Sequence, residues 1–340
     1  MKICQVMAGD GDGGLENHFA ELCNGLAMQG CEVVAIAHEK YSGRFEPSVR
    51  FISLNLSGGR RNPVLLARLA LILRREAPDI IHAQANKAVE MLARVRAVVP
   101  GYRIGSIHSR KRSTRMFSHM NTVIGVSKGV VSNVDHPDLR VVYNGMTPYF
   151  SPSMDRTTLA QTFGLDPDMR ISLAVGRLVP VKAFDNLILA WRPSHGQLVI
   201  VGEGPERTRL EATIRRQGLE QCVKLAGFRA DVRGMMQAAD LLVFASHREG
   251  FSYVLAEALL SGLPVLSTRV PGAEEVLPQD YLVECNNIDA LSCKLTWLAE
   301  NPDVARQSQR PVFLWAQQAL TFDSMVAETF GIYREVMGTT

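Results

Sequence analysis

The chain has 340 residues, 46% of them hydrophobic and 21% charged, with a net charge of +3; these are the proportions of a soluble globular protein long enough for two domains. The longest apolar run near the N-terminus, Val64 to Leu73, is broken by Arg68 and falls short of the ~20 residues a membrane span needs, and "MKICQVMAGD" turns polar too soon for a signal peptide. The six cysteines (Cys4, Cys23, Cys31, Cys222, Cys285, Cys293) have no metal-binding spacing, so they read as core thiols in a reducing cytoplasm, and neither a metal site nor a cofactor is expected.

In chain order, short apolar strands alternate with helices, twice over. "KICQVMA" reads as a strand, followed by a Gly-rich loop and a helix from about Leu15 to Gln29, which Gly30 ends before the strand "CEVVAIA". Pro63 suits the first turn of another helix. "DIIHA", "RIGSIH" and "TVIGVS" continue the pattern. A Pro- and Ser-rich stretch at 147–168 with weak apolar periodicity reads as a linker. The second series runs "ISLAVG", "QLVIVG", "CVKLAG", "LLVFAS", "LPVLST" and "YLVEC". The expectation is an α/β protein of two doubly wound, Rossmann-like domains facing a cleft, about 1–150 and 151–321. Chemistry then belongs in the loops at the carboxyl ends of the strands.

The first such loop, Gly9-x-Gly11-x-x-Gly14, matches the dinucleotide-binding spacing, with Glu39 near the end of the second strand. It supports an alternative reading as an NAD-dependent oxidoreductase, but Asp10 and Asp12 would point two negative charges at a pyrophosphate. Later loops offer better phosphate chemistry. Arg177 follows a strand and Lys182 opens a helix, a diphosphate clamp or two solvated cations. The turn after "VIVG", with Gly202, borders a nucleotide or merely connects two elements. Phe228 and Arg229, after "LAG", flank a base or belong to the core. Glu249 sits in a polar turn beside Gly250, where backbone amides of Gly250 to Ser252 open a helix. Glu257 lies two turns on, among apolar residues, where an unpartnered carboxylate is costly. It suits the paired acceptance of a ribose diol.

Together these motifs resemble the retaining glycosyltransferases of family 4, the group 1 enzymes of the GT-B fold. The resemblance covers nearly the whole chain. It rests on Glu249-Gly250-Phe251, Glu257 and Gly262-Leu263-Pro264-Val265; on Gly176-Arg177-Leu178 with Lys182; on Asn144-Gly145; and on Gly13-Gly14-Leu15-Glu16. His108 matches the family's cleft histidine, and Glu275 the glutamate after the Pro271-Gly272 turn. "FDSMVAETFGIYREVM" matches the final helix that crosses back to the first domain. Ala183, Ala245 and Ser252 depart from the pattern, standing where glycine, proline and glycine are usual.

The resemblance implies transfer of a sugar from a nucleotide diphosphate-sugar, a UDP-sugar by expectation, to a saccharide or lipid-linked acceptor in lipopolysaccharide or other surface-polysaccharide synthesis. Arg177, Lys182, Glu249 and His108 would be the catalytic set. Gly14, Gly176, Gly202, Phe228, Arg229, Gly250, Phe251, Ser252 and Glu257 would complete the donor site, and Gly13, Glu16 and His108 the acceptor side. Two cations on the leaving diphosphate make a metal unnecessary. A GT-B-fold sugar-nucleotide epimerase is the other alternative.

Charge adds one expectation. Residues 1–165 hold 20 basic and 13 acidic side chains and the remainder 17 and 21. Unless that split is chance, the first half faces something anionic. The run Arg110, Lys111, Arg112 and Arg115 with Met116 and Phe117 suggests a peripheral contact with an anionic inner membrane surface. Arg60, Arg61, Arg68, Arg74 and Arg75 around the Val64–Leu73 run add to it. No aromatic stacking platform accompanies this charge, so nucleic acid is not expected.

Overall fold

The structure, a computed structural model, describes residues 1–110, 112–146 and 154–338. The chain forms two compact units, Met1–Thr147 with Thr321–Thr340, and Pro148–Leu320. In the first, strands β1 (Lys2–Met7), β2 (Glu32–Ala37), β3 (Arg50–Ser53), β4 (Ile80–Gln84), β5 (Tyr102–Ile107), β6 (Thr122–Gly125) and β7 (Leu139–Val141) make one sheet in the order β3-β2-β1-β4-β5-β6-β7. Every pairing in it is parallel. Helices α1 (Gly14–Met28), α2 (Pro63–Glu76), α3 (Ala85–Val95) and α4 (Lys128–Val131) supply the crossovers, and the C-terminal helix Phe322–Val336 packs against α1.

The inner strands β1 and β4 are almost wholly buried, as parallel strands covered on both faces must be, and their few polar side chains, Gln5, His82 and Gln84, are buried with them. Helix α2 begins where its sequence predicts. The Asn62 side chain accepts from the amides of Val64 (3.0 Å) and Leu65 (3.3 Å), and Pro63 occupies a position whose missing N–H costs nothing.

The second unit holds α5 (Arg156–Phe163), β8 (Ile171–Val175), α6 (Phe184–Ala190), β9 (Gln197–Val201), α7 (Arg207–Arg216), β10 (Val223–Gly227), α8 (Val232–Ala238), β11 (Leu241–Phe244), α9 (Tyr253–Leu260), β12 (Val265–Thr268), α10 (Pro271–Val276), β13 (Leu282–Val283), α11 (Ile288–Glu300), α12 (Val304–Ser308) and α13 (Arg310–Ala319). Its parallel sheet runs β10-β9-β8-β11-β12-β13. Both sheets therefore reverse direction of winding once, between β1 and β4 and between β8 and β11. Open α/β sheets bind ligands at that reversal, beyond the carboxyl ends of the strands.

The structure corrects three expectations. The stretch 147–168 is not all linker: Arg156–Phe163 is helical, capped by Asp155, whose carboxylate accepts from the Thr158 amide at 2.7 Å. Strands β3 and β7 lie outside the runs read from the sequence, being short and only half-buried. The cysteines are not all core thiols, because Cys285 is half-buried and Cys293 exposed. No described helix is long and apolar enough to cross a membrane.

Candidate active site

In the second unit, the loops after β8 and β11 bring their charged residues together. Lys182 Nζ donates to Glu249 Oε1, and both side chains are about five-sixths buried. Ser246 Oγ donates to the same carboxylate oxygen at 3.1 Å. Ser246 is itself held: Thr268 Oγ1 donates to its carbonyl at 2.6 Å from the next strand. Arg177 stands exposed at the end of β8, with no ion pair among the described residues. The crevice thus holds one exposed cation and a cation–carboxylate pair at the sheet's reversal point.

The neighbouring glycines explain how the loops approach so closely. Gly202 has φ +140°, and a methyl group there would fall 1.9 Å from the Gly176 carbonyl oxygen. The turn after β9 can therefore lie directly on the Arg177 loop only because it carries no side chain. Gly250 is buried, and its carbonyl accepts from the Gly272 amide at 3.2 Å, tying the start of α10 to the loop that precedes α9. Phe251 is 3% exposed and meets Trp315 edge-on at 6.4 Å, so its ring anchors the loop. Ser252 is the N-cap residue of α9.

Glu257 is not an exposed helical glutamate. Its side chain is 20% exposed and takes a bond from Arg233 Nε at 3.4 Å. Burial raises its pKa above the usual carboxylate value despite that partner. Phe228 settles its own question differently: it is 79% exposed and not part of the core. Arg229 beside it is locked to Asp231 by two bonds of 2.8 and 2.5 Å and lies over the Phe163 ring.

In the first unit the corresponding point holds a chain of hydrogen-bonded polar groups. His108 Nε2 bonds Gln84 Oε1 (3.0 Å), Gln84 Nε2 donates to Gln5 Oε1 (3.0 Å), and Gln5 Nε2 donates to the Tyr333 hydroxyl (2.9 Å). Tyr333 bonds His82 Nδ1, whose Nε2 meets Ser106 Oγ at 2.6 Å. Since an amide oxygen only accepts, His108 Nε2 carries the proton, and each group can donate to the next. His18 packs edge-on against His108 with ring centroids 4.9 Å apart. Burial lowers the pKa of His18 to about 4 and of His82 to about 3, so both rings are neutral.

The Gly9–Gly14 loop wraps a carboxylate. A side chain at Gly11 would meet Glu16 Oε1 at 2.8 Å, and Glu16 is 7% exposed. The loop is pinned from outside by Lys40 and Arg44, which both pair with Asp12, and by the Tyr41 hydroxyl, which donates to the Gly11 carbonyl at 2.6 Å. Gly13 is the N-cap residue of α1 and Gly14 its first residue. A pyrophosphate in this loop would meet the Glu16 carboxylate, which counts against the dinucleotide reading. Gly145 lies where the chain leaves the unit: a methyl there would fall 2.1 Å from the Thr321 carbonyl oxygen.

Sequence reasoning missed Arg233, Ser246, Gln84 and His18. Arg233 carried a signal, a cation inside a helix that also holds two buried methionines, Met235 and Met236. His18 carried one in following the paired glycines by a helical turn. Phe117 was misjudged: it is 1% exposed, packed beneath β5 against Gly105, so it is no membrane wedge, and Met116 is only half-exposed. Lys111 lies outside the described residues. No cluster of three or more candidate metal ligands occurs among the described residues.

Comparisons with known proteins give the family and the fold. Residues 12–148 match the model of Glycosyltransferase Family 4, and residues 155–310 that of Glycosyl transferases group 1. The chain is 27% identical over 282 residues to the lipopolysaccharide core biosynthesis glycosyltransferase LpsE of Rhizobium meliloti, covering 81% of each. It is 26% identical over 319 residues to LpsD of the same organism, covering 89% of each. The crystal structure of Anabaena HepE in complex with UDP superimposes with a TM-score of 0.83 at 22% identity, over 98% of this chain and all of that one. That likeness gives the fold, GT-B, with its two Rossmann-like sheets in series. The two family models, matched in order across the two units, make this chain a member of the group 1, family 4 glycosyltransferases.

Proposed function

We propose that the enzyme transfers a sugar, with retention, from a UDP-sugar to a saccharide or lipid-linked acceptor in the synthesis of a cell-surface polysaccharide. The observation that carries the donor site is the Lys182–Glu249 pair beside exposed Arg177, at the reversal point of the second sheet. Arg177 and Lys182 neutralise the diphosphate as it leaves. Glu249 and the amides of Gly250 to Ser252 hold the sugar. Glu257 accepts from the ribose hydroxyls, and Gly176, Gly202, Phe228 and Arg229 border the nucleotide. The similarity to two lipopolysaccharide-core enzymes supports the acceptor class, and the UDP held by HepE supports the nucleotide.

The chemistry balances without a metal or other cofactor. The C1–O bond to the diphosphate breaks, the acceptor oxygen bonds C1 on the same face, and the departing phosphate takes the acceptor's proton. Positive charge placed in advance stabilises that departure. Gly13, Glu16 and His108 supply the acceptor side, and Gly14 reaches the donor. The acceptor is carried at an anionic membrane surface.

The test is donor hydrolysis across UDP-, GDP- and ADP-sugars in EDTA, followed by transfer to lipid-extracted acceptors. UDP-sugar turnover that survives EDTA is expected. Dependence on added magnesium would overturn the phosphate clamp. Interconversion of the donor sugar with no acceptor present would identify an epimerase instead.

A further inference from the structure

Glu249 is held by two donors of different kinds, and both go to the same oxygen. Lys182 Nζ and Ser246 Oγ each donate to Oε1, Ser246 at 3.1 Å, while Oε2 has no partner among the described residues. Ser246 lies two residues beyond β11 and is 2% exposed. Its carbonyl accepts from Thr268 Oγ1, at the end of β12, at 2.6 Å, and more loosely from Cys285 Sγ at 3.8 Å. Thr268 is 3% exposed. The turn that carries Lys182 is tied to the same loop, since the His247 amide donates to the Val181 carbonyl at 2.9 Å. Residues from the ends of two strands and from one turn thus converge on a single carboxylate oxygen.

The two donors are not equivalent once a diphosphate is present. An ammonium is a compact charge with three donors and no fixed direction, and a diphosphate competes with Glu249 for it. The Ser246 hydroxyl has one proton, already given to Glu249 and sealed from water, so nothing competes for it. It is also neutral. A neutral donor fixes the direction of a carboxylate and leaves its negative charge intact, and that charge stabilises the positive charge that develops on the sugar as the C1–O bond breaks. Thr268 acts one step further back, by fixing the peptide from which the Ser246 hydroxyl projects. A serine that merely closed the turn from Ser246 to Glu249 would add stability and have no bearing on the rate of the folded enzyme.

We propose that Ser246, fixed by Thr268, is the positioning residue for Glu249: it holds Oε1 and so presents Oε2 to the reacting sugar, while Lys182 serves the diphosphate. This role rests on the proposed function, in which Glu249 holds the sugar.

The experiment compares S246A, T268V, T268S and S246A/T268V with the wild type. It measures kcat and KM on whichever UDP-, GDP- or ADP-sugar the wild type turns over, affinity for the free nucleoside diphosphate by calorimetry, and melting temperature. A reacting group misplaced by about 1 Å can lose about a hundredfold in rate, so S246A should lower kcat by about 10–100-fold with nucleotide affinity unchanged. T268V should lower kcat less, and T268S, which keeps the hydroxyl, should restore it. Because Thr268 acts through Ser246, the double variant should be no slower than S246A, whereas independent effects would multiply. An undiminished kcat in folded S246A, multiplying effects in the double variant, or a loss of nucleotide affinity equal to the loss of kcat would overturn the proposal. If S246A does not fold, the contrast between T268V and T268S decides in the same way, and equal rates for the two would overturn it. Turnover by wild type and S246A alike sinks the positioning role alone. A wild type that turns over no sugar nucleotide overturns the proposed function, and the positioning role with it.

Discussion

At the reversal point of the N-terminal sheet five buried polar side chains, Gln5, His82, Gln84, Ser106 and Tyr333, are neutral and bonded to one another. At the same point of the C-terminal sheet charged side chains gather, and two of them, Lys182 and Glu249, pair with each other. The first six strands follow the same order in both sheets, and the N-terminal sheet adds a seventh at its edge. On the proposed function, what differs is what each site must hold. A neutral network satisfied within the protein can be sealed from water without penalty and makes a rigid wall. A site for a diphosphate must carry excess positive charge, and until the diphosphate arrives that charge has to be solvated or paired. Arg177 takes the first course by staying exposed, and Lys182 takes the second by bonding Glu249.

The comparison breaks most plainly if the cations are dispensable. Arg177→Ala should lower turnover by about 10²–10³-fold, the effect of losing one pre-placed charge on a leaving group, with the melting temperature nearly unchanged. Steady-state rates on the preferred donor, measured in EDTA, decide it. An equal loss from Gln84→Ala would erase the distinction between a catalytic and a structural crevice.

A smaller effect sharpens the contrast. Tyr333→Phe strands a buried donor and an acceptor, and should cost about 1–3 kcal/mol of stability while leaving UDP affinity alone. Glu257→Gln should do the reverse, weakening UDP binding by about 1–3 kcal/mol. A 2′,3′-dideoxy nucleotide should then bind wild type and Glu257→Gln alike. Urea unfolding and calorimetric titration of both variants test the pair, and a Glu257→Gln variant that keeps the full preference for the ribose diol removes that role.

The smallest expected effect comes from Ala183. It sits after Lys182 with φ 49° and ψ 38°, a left-handed conformation that costs an L-residue roughly 1 kcal/mol. Ala183→Gly should therefore raise stability by up to about 1 kcal/mol, read from the urea midpoint. No gain would mean that the unfolded-chain entropy of glycine offsets the relief.

Sequence made some of this legible and not the rest, for reasons of range. Strand-and-helix alternation, the Gly176-Arg177-Leu178 loop and the Glu249-to-Glu257 spacing are local, so they survive without coordinates. Ala183 stood out as a departure from the family pattern, but only its backbone angles show why glycine is usual there. Partners that meet across long separations left no local mark. Arg233 finds Glu257 from another helix, and Gln5, His82 and Tyr333 come from three distant stretches. Phe117 was misread because an aromatic next to arginines looks exposed in one dimension. The burial that contradicts it comes from β5, a strand earlier in the chain.

The close approach of Gly145 to Thr321 has a consequence for the order in which the molecule can be made. Met146 and Thr321 pair as a parallel bridge, so the chain leaves the first unit and returns to it at one place, with the whole second unit spliced between. A ribosome releases the residues of β1 and β4 early. Yet the hydroxyl that completes their hydrogen bonds belongs to Tyr333, near the other end of the chain. The second unit, continuous in sequence, has all its strands in hand before that hydroxyl emerges. The first-born sheet must wait for the last helix to finish its core, and a nascent chain stalled before residue 321 should hold a folded second unit joined to an unfinished partner.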